Sequence, residues 1–217
     1  MTIKTPSTYP NFYEVQHPLI AYKLSRLRDK YTEHKLFREL VHEITLLLGY
    51  EATAHLATQW QTIETPLEHC SMPVLASPNA VILPILRAGI GMVDAMLTLM
   101  PYAKVGHIGL FRNETTLSPE SYYFKVPVKT HKYHFFVCDP MLATGGSAIQ
   151  AVSSLKEKGV QNITFICILA APEGLQKFFK VHPDVGVFSA SLDRTLDAQG
   201  YIRPGMGDAG DRLFGTQ

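Results

Sequence analysis

Cysteine is scarce: Cys70, Cys138 and Cys167 are the only three in 217 residues, odd in number and far apart. None has the spacing of zinc ligands, and Cys138 and Cys167 lie in apolar runs, where a thiol serves as a small buried hydrophobe. A disulfide framework and a structural metal are thereby excluded, and a reducing, cytoplasmic compartment is expected. Charge of one sign is also lacking. Twenty Lys and Arg stand against 19 Asp and Glu, net +1, too little for a general nucleic-acid or membrane-surface binder. Any anion site must therefore be local. The first residues, "MTIKTPSTYPNFYEV", do not have the charged-then-apolar build of a signal peptide. The most apolar stretch, "AVILPILRAGIGMVDAMLTLM", is broken by Arg87 and Asp94 and does not read as a membrane span. Internal repeats, low-complexity tracts and linkers are missing as well.

What is present suits an α/β protein. A 46% hydrophobic share supports a sizeable core, and the length fits one domain. Residues 17–60 read as helical, with Leu36, Leu40, Ile44 and Leu47 at helical spacing and Gly49 placed to end or kink the run. Beyond Pro73 the pattern becomes strand-like: "AVILPIL" (80–86), "KVGHIGLF" (104–111), "YHFFVC" (133–138), "NITFICILAA" (162–171) and "DVGVFSA" (184–190). Three of these are almost continuously apolar, as strands covered on both faces of a parallel sheet are. Helical segments intervene, one through Met100 and another over 148–158 with Gly159 as its stop. The expectation is an open parallel sheet flanked by helices, binding its ligand beyond the carboxyl ends of the strands. Residues 110–129 turn polar and read as a β-hairpin of the kind that closes over substrates. After residue 190 comes a tail rich in glycine.

One turn carries chemistry. "VCDPMLATGGSAIQAV" (137–152) ends an apolar strand with Asp139 and opens a helix at Gly145-Gly146-Ser147. Successive N–H groups at a helix start point at one anion, and glycine allows close backbone approach. Thr144 and Ser147 add hydroxyl donors. No lysine follows the glycines, so this is not a Walker A loop, and "ATGGSA" is not a dinucleotide fingerprint. A plain capped helix start is the bland alternative. Asp139 weakens it, since an acid beside a phosphate nest suits a ligand that also offers hydroxyls, such as a ribose phosphate.

Strand, acid and Thr-Gly-Gly-Ser turn resemble the phosphoribosyl-pyrophosphate motif of type I phosphoribosyltransferases, and "DPMLATGGS" resembles the uracil branch, where proline replaces a second acid. "HPLI", "FRELVHEI", "IETP", "PILRAGIGMVDAM", "KVGHIGLFR", "LAAPEG" and "GYIRPGMGDAGDRLFG" follow in that family's order. The resemblance implies a single domain over 1–217, with an N-terminal helical extension and β-arm (1–72), a core sheet (73–190) and a base-binding hood (191–217). It implies displacement at the anomeric carbon of phosphoribosyl pyrophosphate by uracil N1, giving UMP and pyrophosphate. By position, Asp139, Pro140, Met141, Leu142, Ala143, Thr144, Gly145, Gly146 and Ser147 would hold the ribose phosphate, with Asp139 on the ribose hydroxyls. Arg87 and Arg112 would face pyrophosphate; Ile202, Gly207, Asp208 and Ala209 would bind uracil, mostly through main chain. Asp208 would also help place the phosphoribosyl group.

Mg2+ is the implied cofactor, held by substrate phosphates and water without a direct protein ligand. A homodimer or larger homo-oligomer is implied, and GTP is raised as an effector. No catalytic histidine is expected. Arg203 stands where the family carries an aliphatic residue; pointing inward it would alter base affinity, pointing outward it would be harmless. "FRNE" (111–114) replaces the more usual "YRDP" but keeps the arginine. The rival readings are transfer to another nucleobase, and a non-catalytic pyrimidine-nucleotide sensor on the same fold.

Overall fold

The structure, a computed structural model, describes residues 2–4, 9–112, 119–128 and 130–216; for Thr2, Lys4, Arg112, Pro119 and Glu120 it describes the backbone alone. Strands β1 (Thr2–Lys4) and β2 (Phe12–Gln16) lead into helices α1 (Pro18–Arg28) and α2 (His34–Thr53). Pro18 sits in the first turn of α1, where its missing N–H costs nothing, and His17 caps the turn by accepting from the Leu19 N–H. The buried stripe of α2 is Phe37, Leu40, Val41, Ile44, Leu48 and Ala52; Leu36 and Leu47 lie at its margin.

Two expectations for this region need correction. Gly49 neither ends nor kinks α2. A Cβ there would lie 2.7 Å from Leu99 Cδ1 and from Met96 Sδ, so the glycine is a packing gap for the helix beneath. Nor does the helix reach Trp60. The chain turns at 54–57, and β3 (Thr58–Glu64) pairs antiparallel with β4 (His69–Leu75) in a separate two-stranded arm. Trp60, Thr62 and Ile63 favour a pleated strand, and Thr65 closes the hairpin by accepting from the Leu67 and Glu68 N–H groups.

The rest of the chain builds the sheet. In order come β5 (Ala80–Leu86), a 3-10 turn (Ala88–Met92), α3 (Val93–Leu99), β6 (Lys104–Val105), β7 (His107–Arg112), β8 (Pro119–Lys125) and β9 (His134–Cys138). Then follow β10 (Met141–Leu142), α4 (Gly146–Glu157), β11 (Asn162–Ala170), α5 (Pro172–Val181), β12 (Gly186–Leu192), β13 (Thr195–Leu196), β14 (Ile202–Arg203) and α6 (Ala209–Phe214). Among the described residues the strand order is β1-β2-β12-β11-β9-β5-β7-β8, with β6 on β5 and β10 on β11. All neighbours are parallel except β1 with β2 and β7 with β8.

The five expected strands are present, with one break. "KVGHIGLF" divides at Gly106, whose N–H makes the last bond of the β6 pairing, to Ile82 O of β5 at 2.9 Å, before β7 begins at His107. The helix expected through Met100 opens as a 3-10 turn before α3. Period-two alternation sorts the central side chains onto two faces. Ile82, Phe136, Cys138, Ile166 and Ile168 join α1, α2 and α3 on one side. Val81, Leu83, Phe135, Val137, Phe165 and Cys167 join α4 and α5 on the other. Gly159 stops α4 with φ +80° and its N–H on Lys156 O. The glycine-rich tail is an ordered hairpin, β13–β14, followed by α6. Among the described residues no helix is long and apolar enough to cross a membrane.

Candidate active site

Parallel pairing brings the carboxyl ends of β5, β9 and β11 to one edge, because Pro84 stands opposite Cys138 and Cys138 opposite Ile166. Arg87 leaves β5 there, after a cis Leu86–Arg87 peptide. The turn behind it folds across the end of β9 so closely that a Cβ on Gly89 would lie 2.3 Å from Cys138 O. The Arg87 side chain is exposed, 3.7 Å from Asp211 Oδ1 at the start of α6. Strand β5 and the tail thus meet over the same edge.

Asp139 follows β9 directly. Its N–H bonds Ile166 O at 3.2 Å. Its carboxyl is pushed up to about 7 by burial, against the opposing effect of the Met141 N–H. The acid sits low in the edge, and its charge raises the buried thiols of Cys138 and Cys167 further above what burial alone does. Pro140, Met141 and Leu142 belong to the frame: Pro140 O accepts from the Ile168 and Leu169 N–H groups at 3.0 Å, and β10 pairs with β11.

The turn proper begins at Ala143. None of the N–H groups of residues 143–147 has a partner among the described residues; the first helical bond, Ile149 N–H to Gly145 O, lies beyond them. Gly145 has φ +82°, the left-handed region that an L side chain enters only with strain. Thr144 is exposed at the rim. Five consecutive donors, a helix start and a half-buried acid make an anion cradle beside a hydroxyl acceptor.

The tail closes the other side. A Cβ on Gly200 would stand 3.4 Å from Thr144 Cγ2, so the hood hairpin abuts the turn. The N–H groups of Gly207, Asp208 and Ala209 have no partner among the described residues, while Asp208 caps α6 by accepting from the Asp211 N–H at 3.0 Å. The Ile202 side chain is buried in the core, and its carbonyl packs against Gly205, where a Cβ would lie 2.1 Å from Ile202 O. Arg203 points outward, with Nε 2.8 Å from Asp197 Oδ2. Arg112 ends β7 opposite Pro119; its side chain, and the hairpin tip at 113–118, lie outside the described residues. His134 opens β9 and so lies at the far end from Asp139. Burial first, and His55 second, push it down to about 4, and it shares a hydrogen bond with Thr164 Oγ1. A cavity of about 610 Å³ lies at that amino-terminal edge, lined by His55, His134 and Thr164, away from the turn.

The family model for uracil phosphoribosyltransferase covers residues 14–216. The chain belongs to the uracil phosphoribosyltransferase family. It is 53% identical over 206 residues to the uracil phosphoribosyltransferase of Streptococcus mutans, covering 95% of this chain and 99% of that one. It is 54% identical over 203 residues to that of Streptococcus pyogenes, covering 94% and 97%. The solved structure of AQ2163 protein from Aquifex aeolicus superposes with a TM-score of 0.89 at 33% identity, over 95% of this chain and 99% of that one. Adenine phosphoribosyl transferase from Trypanosoma brucei, 12% identical with a TM-score of 0.62 over 96% and 92%, shares the fold.

Within the uracil phosphoribosyltransferase frame, four residues at the site escape a reading of the motifs alone. Gly174 packs so tightly under the turn that a Cβ would lie 2.1 Å from Ala143 O. Glu173 accepts from Thr195 Oγ1 at 2.6 Å and from the Leu196 N–H, tying α5 to the hood. Arg28 and Asp193 pair beneath the 203–207 segment. "LAAPEG" marks the first two as part of the family pattern without assigning them a task; Arg28 and Asp193 carry no sequence signal beyond their type.

Proposed function

We infer that this cleft runs the family reaction: uracil N1 displaces pyrophosphate from the anomeric carbon of phosphoribosyl pyrophosphate, giving UMP. The observation that carries this reading is the run of five unpartnered N–H groups at 143–147 beside Asp139. A 5′-phosphate meets the N–H groups and the hydroxyls of Thr144 and Ser147; the ribose hydroxyls donate to Asp139. Arg87 supplies a planar fork for pyrophosphate oxygens, exchanging its loose contact with Asp211 for a doubly charged ligand. Arg112, at the start of the polar hairpin, completes the grip. The anomeric carbon develops oxocarbenium character as the leaving group departs, so the chain contributes alignment and charge stabilisation more than covalent chemistry.

Uracil presents two carbonyl oxygens and an N–H in its plane. The free N–H groups of Gly207, Asp208 and Ala209 suit the oxygens, and the main chain of Ile202 lies alongside. Cytosine, with an amino group in place of one oxygen, would leave a donor facing a donor, a mismatch that buried sites reject strongly.

Mg2+ fits this donor set. Among the described residues no three His, Cys, Asp or Glu side chains gather as ligands, but magnesium keeps most of its waters and takes phosphate oxygens with at most one or two carboxylates. Asp139 and Asp208, with Asp211 beside Arg87, are the carboxylates that would meet its water shell. When bound, the ion neutralises charge on pyrophosphate.

The exposed β3–β4 arm supports a homodimer or larger assembly, since Trp60 (74% exposed) and Leu67 (94%) stand on it without cover among the described residues. Resemblance alone supports GTP as an effector, and a role in cytoplasmic pyrimidine salvage. The deciding experiment is pyrophosphate release from phosphoribosyl pyrophosphate with magnesium, in the presence of uracil, cytosine, hypoxanthine or no base, each with and without GTP. Turnover with uracil alone is the expected outcome. Turnover with another base, or none despite phosphoribosyl pyrophosphate binding, would overturn the assignment.

A further inference from the structure

The loop that carries the base-reading N–H groups is held from below by two arginines, neither of them in the cleft. Arg28, the last residue of α1, donates through Nη1 to Asp193 Oδ2 and to Gly205 O, both at 2.7 Å, and through Nη2 to Asp193 Oδ1. Asp193 in turn accepts from the Gly205 N–H at 2.9 Å and from Ser191 Oγ at 2.9 Å. Both backbone polar groups of Gly205 are therefore fixed by one ion pair, two residues before Gly207. Asp193 is 5% exposed. Arg212, one turn into α6, binds Met206 O at 2.8 Å, Leu27 O at 2.7 Å and Asp29 O at 2.6 Å, over the Phe37 ring. The carbonyls at 205 and 206 are both turned down into the protein, so the following N–H groups face the other way.

The same pair also connects the two ligand sites. The Asp193 N–H bonds Ala170 O at 2.8 Å, and the Ala171 N–H bonds Leu142 O at 2.9 Å, one residue before the phosphate turn. A short bonded path thus runs from Ala143 through the end of β11 and Asp193 to Gly205. We propose that Arg28 and Asp193 are positioning residues that hold the 205–209 loop at a fixed height relative to the phosphate turn, and so set the affinity for the base without touching it. The inference rests on the assignment of that loop to uracil.

The planar fork bonds Asp193 Oδ1 from one nitrogen and Asp193 Oδ2 and Gly205 O from the other, a fixed spacing that a single ammonium nitrogen does not reproduce. Arg28→Lys keeps the charge and loses that geometry. The expected result is a rise of about tenfold or more in KM for uracil, with KM for phosphoribosyl pyrophosphate changed less than about twofold, a split that general loosening of the fold would not produce. Asp193→Asn is expected to give the same split. Ser191→Ala, which removes a single bond to Asp193, should raise the uracil KM by about two- to threefold, and it serves if the other two variants fail to fold. Gly207→Ala, at φ +77°, reports independently on whether the loop binds base. A raised uracil KM in Gly207→Ala together with unchanged values in the clamp variants would overturn the positioning role while leaving the site assignment intact. Equal losses for both substrates would overturn it too, as a purely structural effect. An unchanged uracil KM in Gly207→Ala would remove the assignment and the positioning role with it.

Discussion

Asp139 is where chemistry and stability oppose each other. Burial holds its carboxyl up at about 7, whereas an unfolded chain releases that proton near pH 4. Between those values the native state binds more protons than the unfolded one, so this residue's contribution becomes less favourable as pH rises through the window. Asp139→Asn removes the titration. It is expected to be more stable than the parent at pH 8 by roughly 1–3 kcal/mol and equal to it near pH 4, read from urea midpoints. With the proposed role of Asp139 on the ribose hydroxyls, the same variant should lose about 10- to 100-fold in kcat/KM for phosphoribosyl pyrophosphate, since a charged acceptor is gone. A stabilised protein with a weakened site is the signature to look for. Arg203 is the opposite case: an unusual residue whose ion pair with Asp197 turns it away from the cleft.

Elements meet at the site through close backbone contacts more than through side chains. The 143–147 turn lies on the first turn of α5, with Gly174 beneath Ala143 O at a separation no side chain could share. Gly174→Ala must push the turn upward or shift α5. We expect a loss of about 1–3 kcal/mol in stability together with a raised KM for phosphoribosyl pyrophosphate; an unchanged KM would mean that α5 yields and the turn does not. Much of this level was legible beforehand. The strands at 80–86, 133–138, 162–171 and 184–190 follow from apolar runs with β-branched and aromatic residues, and α4 from Ala148, Ala151, Val152 and Leu155 at helical spacing. The arm at 58–75 was legible only through the family resemblance and not from periodicity, because β3 is exposed along its whole length and β4 along most of its own, which leaves little alternation to read. Gly49 misleads for a related reason: a glycine that makes room for a neighbour has the same letter as one that ends a helix.

At the scale of the whole molecule, the sheet divides two apolar layers while the tail returns to its carboxyl edge. What extends outside that body is the β3–β4 arm. Trp60 is the only tryptophan in the chain and is 74% exposed on the arm, so its fluorescence reports on any cover supplied by a second copy. Emission blue-shifted at micromolar concentration and moving red on dilution is expected for an assembled enzyme. Emission at the fully solvated position at every concentration would show that the arm does not join the copies.

By itself the sequence determined the parallel sheet, the glycine turn at the start of α4 and the family, since each depends on local pattern: apolar runs, glycines at a helix start, and motifs in a set order. Tertiary structure alone decided what holds those pieces in relation. Arg28 lies 165 residues before Asp193, Gly174 beneath Ala143, and Gly200 against Thr144, contacts between residues that have no periodicity linking them. Such pairings arise because the parallel crossovers bring distant strand ends to one edge. There, buried backbone groups and charges must find partners wherever the fold has placed them.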